Sequence, residues 1–415
     1  MRESPAGDGG TVGREISSEL QLLLKELGRP VTLESLARRI QVCERALMLT
    51  SRHTNASLWA ALQNKLAGSL FQEPLGDRAE NLERAIGCYQ AALQVHTREA
   101  SPTEWAITQN NLGLAYADRV RGDRAENLER AIGCYQAALQ VRTREASPTD
   151  WATTQHNLGS AYADRVRGDR AENLERAIGC YKTALGVVRP DSRPGDSRWA
   201  ARNLGEVCSR VARWGEAAEA YRIALDATEI LFQASVLVSS RQAELAESVG
   251  VAAGAAYALA RAGEVGEAMI VLERGRAREL GDALDRDRAD LEEVAQREPE
   301  AYEIYRQAAE RLRAVEAAER WSGAAGETIL AAASGVMEVG SRARRAAEET
   351  LVEQAQAAIA ELKGAVKRIR RIPRFDTFLD QPDLDKVAAA VEASAPLAYL
   401  VCTAAGSVTL LVHQP

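Results

Sequence analysis

Apolar and polar positions fall into blocks of helical length that come in pairs. One block runs from about Trp105 to Val120 and carries Leu112-Gly113-x-x-Tyr116. The next runs from about Asn127 to Val141 and carries Ala131-x-x-x-Tyr135. Each holds about four turns of helix with one apolar side. Arg121-Gly-Asp-Arg124 supplies the turn inside the pair. Glu99-Ala-Ser-Pro-Thr103 separates one pair from the next, with Ser101 or Thr103 placed to cap the following helix. The segment Asn81–Leu93 returns at Asn127–Leu139 and, slightly changed, at Asn173–Leu185, a period of 46 residues. Trp59, Trp105 and Trp151 keep that period, and Trp199 follows 48 residues later. The stretches Ala79–Arg124 and Ala125–Arg170 are almost the same, which marks a recent duplication.

The pairing continues on both sides. Asn203-Leu-Gly205 goes with Ala217-x-x-x-Tyr221, and Gly254-x-x-Tyr257 with Ala268-x-x-x-Leu272. Upstream, Leu33–Leu49 reads as a second-helix element and Trp59–Leu70 as a first-helix element. The Leu-Gly-x-x-Tyr and Ala-x-x-x-Tyr halves resemble the tetratricopeptide repeat (TPR) signature. The resemblance implies a mostly α fold: a right-handed α-solenoid of about five to six helix pairs over residues 15–285, after a disordered tail at 1–14. Glycine at 113 would let the partner helix approach, Tyr116 and Tyr135 would fill the gap, and Ala131 would sit where nothing larger fits. Gln109 stands where the family's tryptophan is usual, with Trp105 one turn earlier. The period also exceeds the usual value of about 34, so helices or loops are extended.

The pattern changes after about residue 285. Asp287–Arg320 and about Glu327–Arg371 are charged helical stretches separated by Trp321–Gly326, which predicts a long helical hairpin over 286–371. Ile372-Pro-Arg-Phe-Asp-Thr-Phe-Leu379 then breaks the helix, and Asp383–Ala393 reads as a short helix. Pro396–Cys402 and Val408–His413 are apolar strands joined through Ala-Ala-Gly-Ser, a β-hairpin pattern. The Leu272–Arg278 segment, the Ile372–Leu379 segment and this hairpin together resemble the CHAT family, caspase-like modules that bacteria place after TPR arrays. The resemblance implies that 372–415 is the truncated start of such a module. It implies that the chain is the sensor or adaptor portion governing a cysteine peptidase. The family's His/Cys dyad has no match: Cys402 and His413 lie in the opening hairpin. The chain itself is therefore expected not to be an enzyme. A caspase-like peptidase subunit is the alternative reading, and a component of an RNA-guided defence complex a further one. Two strands alone leave an open edge, so the stump is expected to be unstable or to need a partner chain.

Composition narrows the function classes. Of 415 residues 46% are hydrophobic and 27% charged, ordinary for a folded protein. The net charge of −7 gives no general attraction to nucleic acid or anionic membrane. Neither a signal peptide nor a run of about 18 apolar residues is present, so a cytoplasmic protein without membrane contact is expected. The one basic run, Lys363, Lys367, Arg368, Arg370, Arg371 and Arg374, reads as a helix C-terminus more readily than a nucleic-acid site. Cys43, Cys88, Cys134, Cys180, Cys208 and Cys402 form no metal or redox motif, and three of them recur at one repeat position. They read as small buried helix residues, and no metal or cofactor is expected.

The candidate site comes from comparing the duplicated copies. They differ at His96/Arg142, Glu104/Asp150, Ile107/Thr153, Asn110/His156 and Leu114/Ser160. The last three pairs are spaced i, i+3 and i+7 along the first helix and share a face. In TPR arrays the first helix lines the concave groove. The row continues to Asn64 upstream and to Trp199, Arg202 and Glu206 downstream. The expected ligand is a peptide or protein element in that groove, including a caspase-like domain. The row lacks the regular Lys/Arg/Asn set by which some TPR domains clamp a C-terminal carboxylate.

Overall fold

The computed structural model describes residues 18–31, 35–247, 250–275, 290–332, 338–376, 378 and 397–412. The expected tail at 1–14 and the expected helix Asp383–Ala393 lie outside these residues. The chain is an α-helical repeat built of helix pairs, with one small β-hairpin. It divides into two compact units, Met1–Val187 and Val188–Pro415.

The first unit contains α1 (Ser18–Leu27), α2 (Leu36–Met48), α3 (Ala56–Gln72), α4 (Arg78–Leu93), α5 (Pro102–Ala117), α6 (Arg124–Ala138), α7 (Pro148–Asp164) and α8 (Arg170–Leu185). The pairs are α3/α4, α5/α6 and α7/α8. Each pair meets the next through α4–α5 and α6–α7, and the first helices α3, α5 and α7 also touch one another. The helices begin three residues earlier than the apolar pattern suggests, at Pro102 and at Arg124. Proline suits a first turn because its missing N–H would have no partner there. Ser101 does occupy the N-cap position, but its side chain makes no capping bond. The Thr97 hydroxyl instead holds the entry loop by accepting from the Ala100 N–H at 3.1 Å. Inside the pair, Gly122 adopts φ +84°, a left-handed turn that glycine permits without a Cβ clash. Asp123 then caps α6 by accepting from the Glu126 N–H at 2.8 Å.

Packing within a pair rests on one glycine and one tyrosine. A Cβ on Gly113 would stand 2.6 Å from Cε1 of Tyr135. On Gly159 it would stand 2.9 Å from Cε1 of Tyr181. Ala131 and Ala177 are fully buried beside them. Tyr135 thus closes the helix pair, while Tyr116 serves both sides: the Arg130 guanidinium of its own pair lies 5.6 Å from its ring, and its hydroxyl accepts from Nε2 of Gln90 in the preceding pair at 2.8 Å. Bidentate ion pairs run the same way, Arg119 to Glu83 at 2.7 and 2.8 Å and Arg165 to Glu129 at 2.8 and 2.9 Å. The carboxyls of Glu83 and Glu129 are held below their ordinary pKa by these hydrogen bonds. Desolvation pushes the half-buried thiols up, Cys88 and Cys180 to about 11 and Cys134 to about 12.

The second unit contains α9 (Pro194–Arg210), α10 (Trp214–Ala234), α11 (Val238–Glu247), α12 (Val251–Ala262), α13 (Val265–Gly275), α14 (Asp290–Arg297), α15 (Pro299–Ala332), α16 (Glu338–Ile369), β1 (Leu397–Thr403) and β2 (Gly406–Val412). Tyr221 of α10 is sandwiched between two glycines: added Cβ atoms on Gly205 and Gly254 would come within 2.7 and 2.6 Å of its ring. The long hairpin is α15 packed on α16. The expected break at Trp321–Gly326 is absent, because α15 continues through it to Ala332. Two glycines in an alanine-rich stretch cost only about 1 kcal/mol each, too little to end a helix. Phe375 and Phe378 bury in the core of this hairpin with Tyr305 and Ile369, so residues just past 371 belong to it. The basic run is partly consumed here. Arg368 pairs with Glu300 at 2.8 Å, and Nε of Arg370 donates to the Phe378 carbonyl at 2.8 Å.

The two strands pair antiparallel across the Ala404-Ala405 turn, with Tyr399 opposite Leu410 and Cys402 opposite Ser407. The hairpin does not stand alone within its unit: α12 packs on it. Tyr399, Val401, Leu410 and Val412 are buried, while Leu400 and Leu411 on the other face are exposed. The Tyr257 hydroxyl of α12 donates to the Ala405 carbonyl at 3.2 Å, and the Tyr399 hydroxyl donates to Glu273 of α13. A sheet face covered by a helix needs no further strands to bury its apolar side chains. Among the described residues, no helix is long and apolar enough to cross a membrane.

Candidate protein-binding face

The first helices α3, α5 and α7 touch through polar seams. At the α3–α5 seam, Nδ2 of Asn64 lies 2.8 Å from Oγ1 of Thr108 and 3.3 Å from Nδ1 of the buried His96. Thr108 donates its proton to the Glu104 carbonyl at 2.6 Å and so accepts from Asn64. Burial lowers the His96 pKa, with Glu104 opposing. At the α5–α7 seam, Nδ2 of Asn157 donates to Oδ1 of Asn110 at 3.1 Å, and Nδ2 of Asn110 donates to Asn111 at 3.2 Å. At the position of His96 one repeat on, Nη1 of Arg142 donates to Oγ1 of Thr154 at 2.9 Å.

These seams sort the ten expected groove residues. Ile107 and Thr153 are exposed on α5 and α7. Leu114, His156 and Ser160 are half-buried. Asn110 is only 4% exposed, and its side chain is spent in the seam; it is not an open donor. The correction has a simple cause. The copy comparison identifies a helix face, but an asparagine between two close first helices bridges them instead of facing solvent. Asn64 is likewise committed to its seam. His156 and Ser160 are tied to the packing tyrosine of their own pair: the His156 ring lies 5.5 Å from that of Tyr181, whose hydroxyl donates to Ser160 at 3.0 Å. Trp199, Arg202 and Glu206 stand on α9 in the second unit. Trp199 is exposed, and Nε of Arg202 donates to Glu206 at 3.1 Å.

Comparison of copies also missed residues. Asn111 and Asn157 occupy one repeat position and lie half-buried beside the exposed Ile107 and Thr153. They are identical in the two copies, so no difference flags them. The His96/Arg142 difference was visible, but these residues precede the first helix in sequence, and only the fold returns them to its side. Neither a family model nor a curated protein matches the chain. Two crystal structures are similar in fold. BtubC (BKLC) from P. vanneervenii is 17% identical with a TM-score of 0.42, over 62% of this chain and 93% of that one. The apo form of RapI is 12% identical with a TM-score of 0.40, over 86% of this chain and 98% of that one.

Ile107 and Thr153 are the exposed side chains of this face, and the half-buried Asn111 and Asn157 beside them each commit one amide atom to the seam, Oδ1 of Asn111 and Nδ2 of Asn157. Among the described residues, no cluster of three or more His, Cys, Asp or Glu is placed to hold a metal ion.

Proposed function

We propose that the chain is a protein-interaction scaffold and that the exposed strip on α5 and α7 receives an extended segment of a partner protein. One observation carries this reading. The duplicated pairs keep the glycine and tyrosine that pack them, Gly113 with Tyr135 and Gly159 with Tyr181, and differ at an exposed position of the first helix, Ile107 in one and Thr153 in the other. The test is a display selection of random peptides against the full chain, repeated on an Ile107→Arg/Thr153→Arg variant. Both positions are exposed, so helix content should stay the same. Binding of the selected peptides should fall at least tenfold; unchanged binding would refute the strip.

On the finer scale, we propose that the chain acts in the cytoplasm as the regulatory portion of a TPR–CHAT protein, with its strands opening the caspase-like module. The support is the contact between two of the segments that carry the resemblance: Tyr399 of the hairpin donates to Glu273 in Leu272-Glu-Arg-Gly. No catalytic step is assigned to Cys402, which faces Ser407 across the hairpin. An open reading frame running past codon 415 into a domain with a His/Cys pair supports this reading; a stop codon there refutes it.

A further inference from the structure

Arg142 is 8% exposed, yet among the described residues no carboxylate stands within ion-pair distance of it. Among the described residues its one side-chain hydrogen bond goes to a neutral hydroxyl, Oγ1 of Thr154. Thr154 is itself fully buried and passes its own proton to the Asp150 carbonyl at 2.8 Å. Among the described residues Nε and Nη2 of the guanidinium have no hydrogen-bond partner, and neither nitrogen is sealed from solvent. Burial pulls the Arg142 pKa down, with only the more distant charge of Asp150 opposing. The side chain is thus held in place while its free N–H donors remain open, and a carboxylate would take them up in charge-assisted hydrogen bonds.

The setting shows that the charge is not needed to build the repeat. The same repeat position holds Thr50, His96 and Val188. Thr50 and His96 are as buried as Arg142. The fold therefore accepts a neutral side chain here and places a cation only beside α7. Thr154 and Asn157 are three residues apart on α7 and share the side turned toward α5, which Asn157 confirms by bonding Asn110. The guanidinium thus lies against α7 at Thr154, the residue that follows the exposed Thr153.

We infer that Arg142 forms an anion subsite in that strip, which takes an aspartate or glutamate side chain of the bound segment. The inference rests on the strip being the docking face and adds the chemistry of what docks. Asp150 is the nearest competing carboxylate.

The test uses an array of random dodecapeptides with amidated C-termini, so that no terminal carboxylate takes part, probed with the full chain. The bound set is expected to be enriched in Asp or Glu at one position. Arg142→His installs the residue that the previous repeat accommodates, and should weaken the best acidic peptide about tenfold or more while leaving its Glu→Gln counterpart unchanged. Asp150→Asn should strengthen the acidic peptide, an effect that a purely structural arginine would not give. Peptides bound without acidic enrichment, or bound equally by the Arg142→His variant, overturn the subsite and leave the strip standing. Absence of any bound peptide overturns both.

Discussion

Replacing Gly113 by alanine tests the repeat's packing at its tightest point. The new Cβ would sit 2.6, 2.9 and 3.0 Å from Cε1, Cδ1 and Cζ of Tyr135. Carbon atoms prefer about 3.5–4.0 Å, so the helices must part by roughly 1 Å or the ring must turn. The ring has little room, since Tyr135 is 1% exposed. Overpacking of this kind costs about 1–3 kcal/mol. Alanine returns about 1 kcal/mol of helix propensity, leaving a net loss of up to about 2 kcal/mol. Gly133 provides the control: it is exposed in α6 of the same pair, and a Cβ there meets nothing within 4 Å. Gly133→Ala should stabilise by up to about 1 kcal/mol. Hydrogen exchange of the α5 and α6 amides in the full chain reads the difference locally, which matters because repeat arrays need not unfold in one step. Exchange should speed up in Gly113→Ala and slow down in Gly133→Ala. Adding Tyr135→Leu should remove most of the penalty at Gly113 relative to its own background. Equal protection in the two alanine variants, or additive effects of Gly113→Ala and Tyr135→Leu, would refute the argument.

Other outcomes are expected at separate sites. His96 has a folded-state pKa below its ordinary 6.5 because it is buried. The unfolded chain therefore binds the proton first, and the His96 contribution to stability declines as pH falls below about 6.5. In urea titrations at pH 7.5 and 5.5, His96→Gln should lose less stability on acidification than the parent; an equal loss would contradict this. A double-mutant cycle on Glu129→Gln and Arg165→Met should give a coupling of about 0.5–1 kcal/mol, the range for a well-formed pair near the surface, and it should shrink in high salt. Thiol titration at pH 8 should show Cys402 reacting first, because it is exposed while the thiols of Cys88, Cys134 and Cys180 stand at about 11 to 12. At pH 8 those three are thiolate to only about one part in a thousand or less. Loss of the fast phase in Cys402→Ser checks the assignment.

The helix pairs were legible in the sequence because periodic apolar positions and a fixed 46-residue spacing record packing directly. Gly113, Ala131 and Tyr135 could be given their places for the same reason. Tyr116 was given only half its place: it meets Arg130 of its own pair and also Gln90 of the preceding one, and a sequence motif does not show the second contact. Thr97 was overlooked as a loop anchor because Ser101 stands nearer the helix start. The binding strip was half legible. Variation between copies reveals a changing face but is blind to Asn111 and Asn157, which are identical, and it mistakes the bridging Asn110 for an open one. The support given by α12 to the hairpin was hidden because it joins Tyr257 to Ala405 across 148 residues, a separation that no local pattern records.

The contacts that recur along the first unit have a consequence for how the array can change length. Gln90 reaches Tyr116 and Gln136 reaches Tyr162, each spanning 26 residues; Glu83 reaches Arg119 and Glu129 reaches Arg165, each spanning 36. Each of these bonds is shorter than the 46-residue repeat and joins neighbouring pairs only. Removing residues 125–170 would join Arg124 to Ala171 and leave Arg124, in the place of Arg170, with the same kinds of partner on both sides. Whole repeats are therefore close to interchangeable parts, and genetic gain or loss of one unit rewrites the proposed strip and its seam while these bonds between pairs re-form.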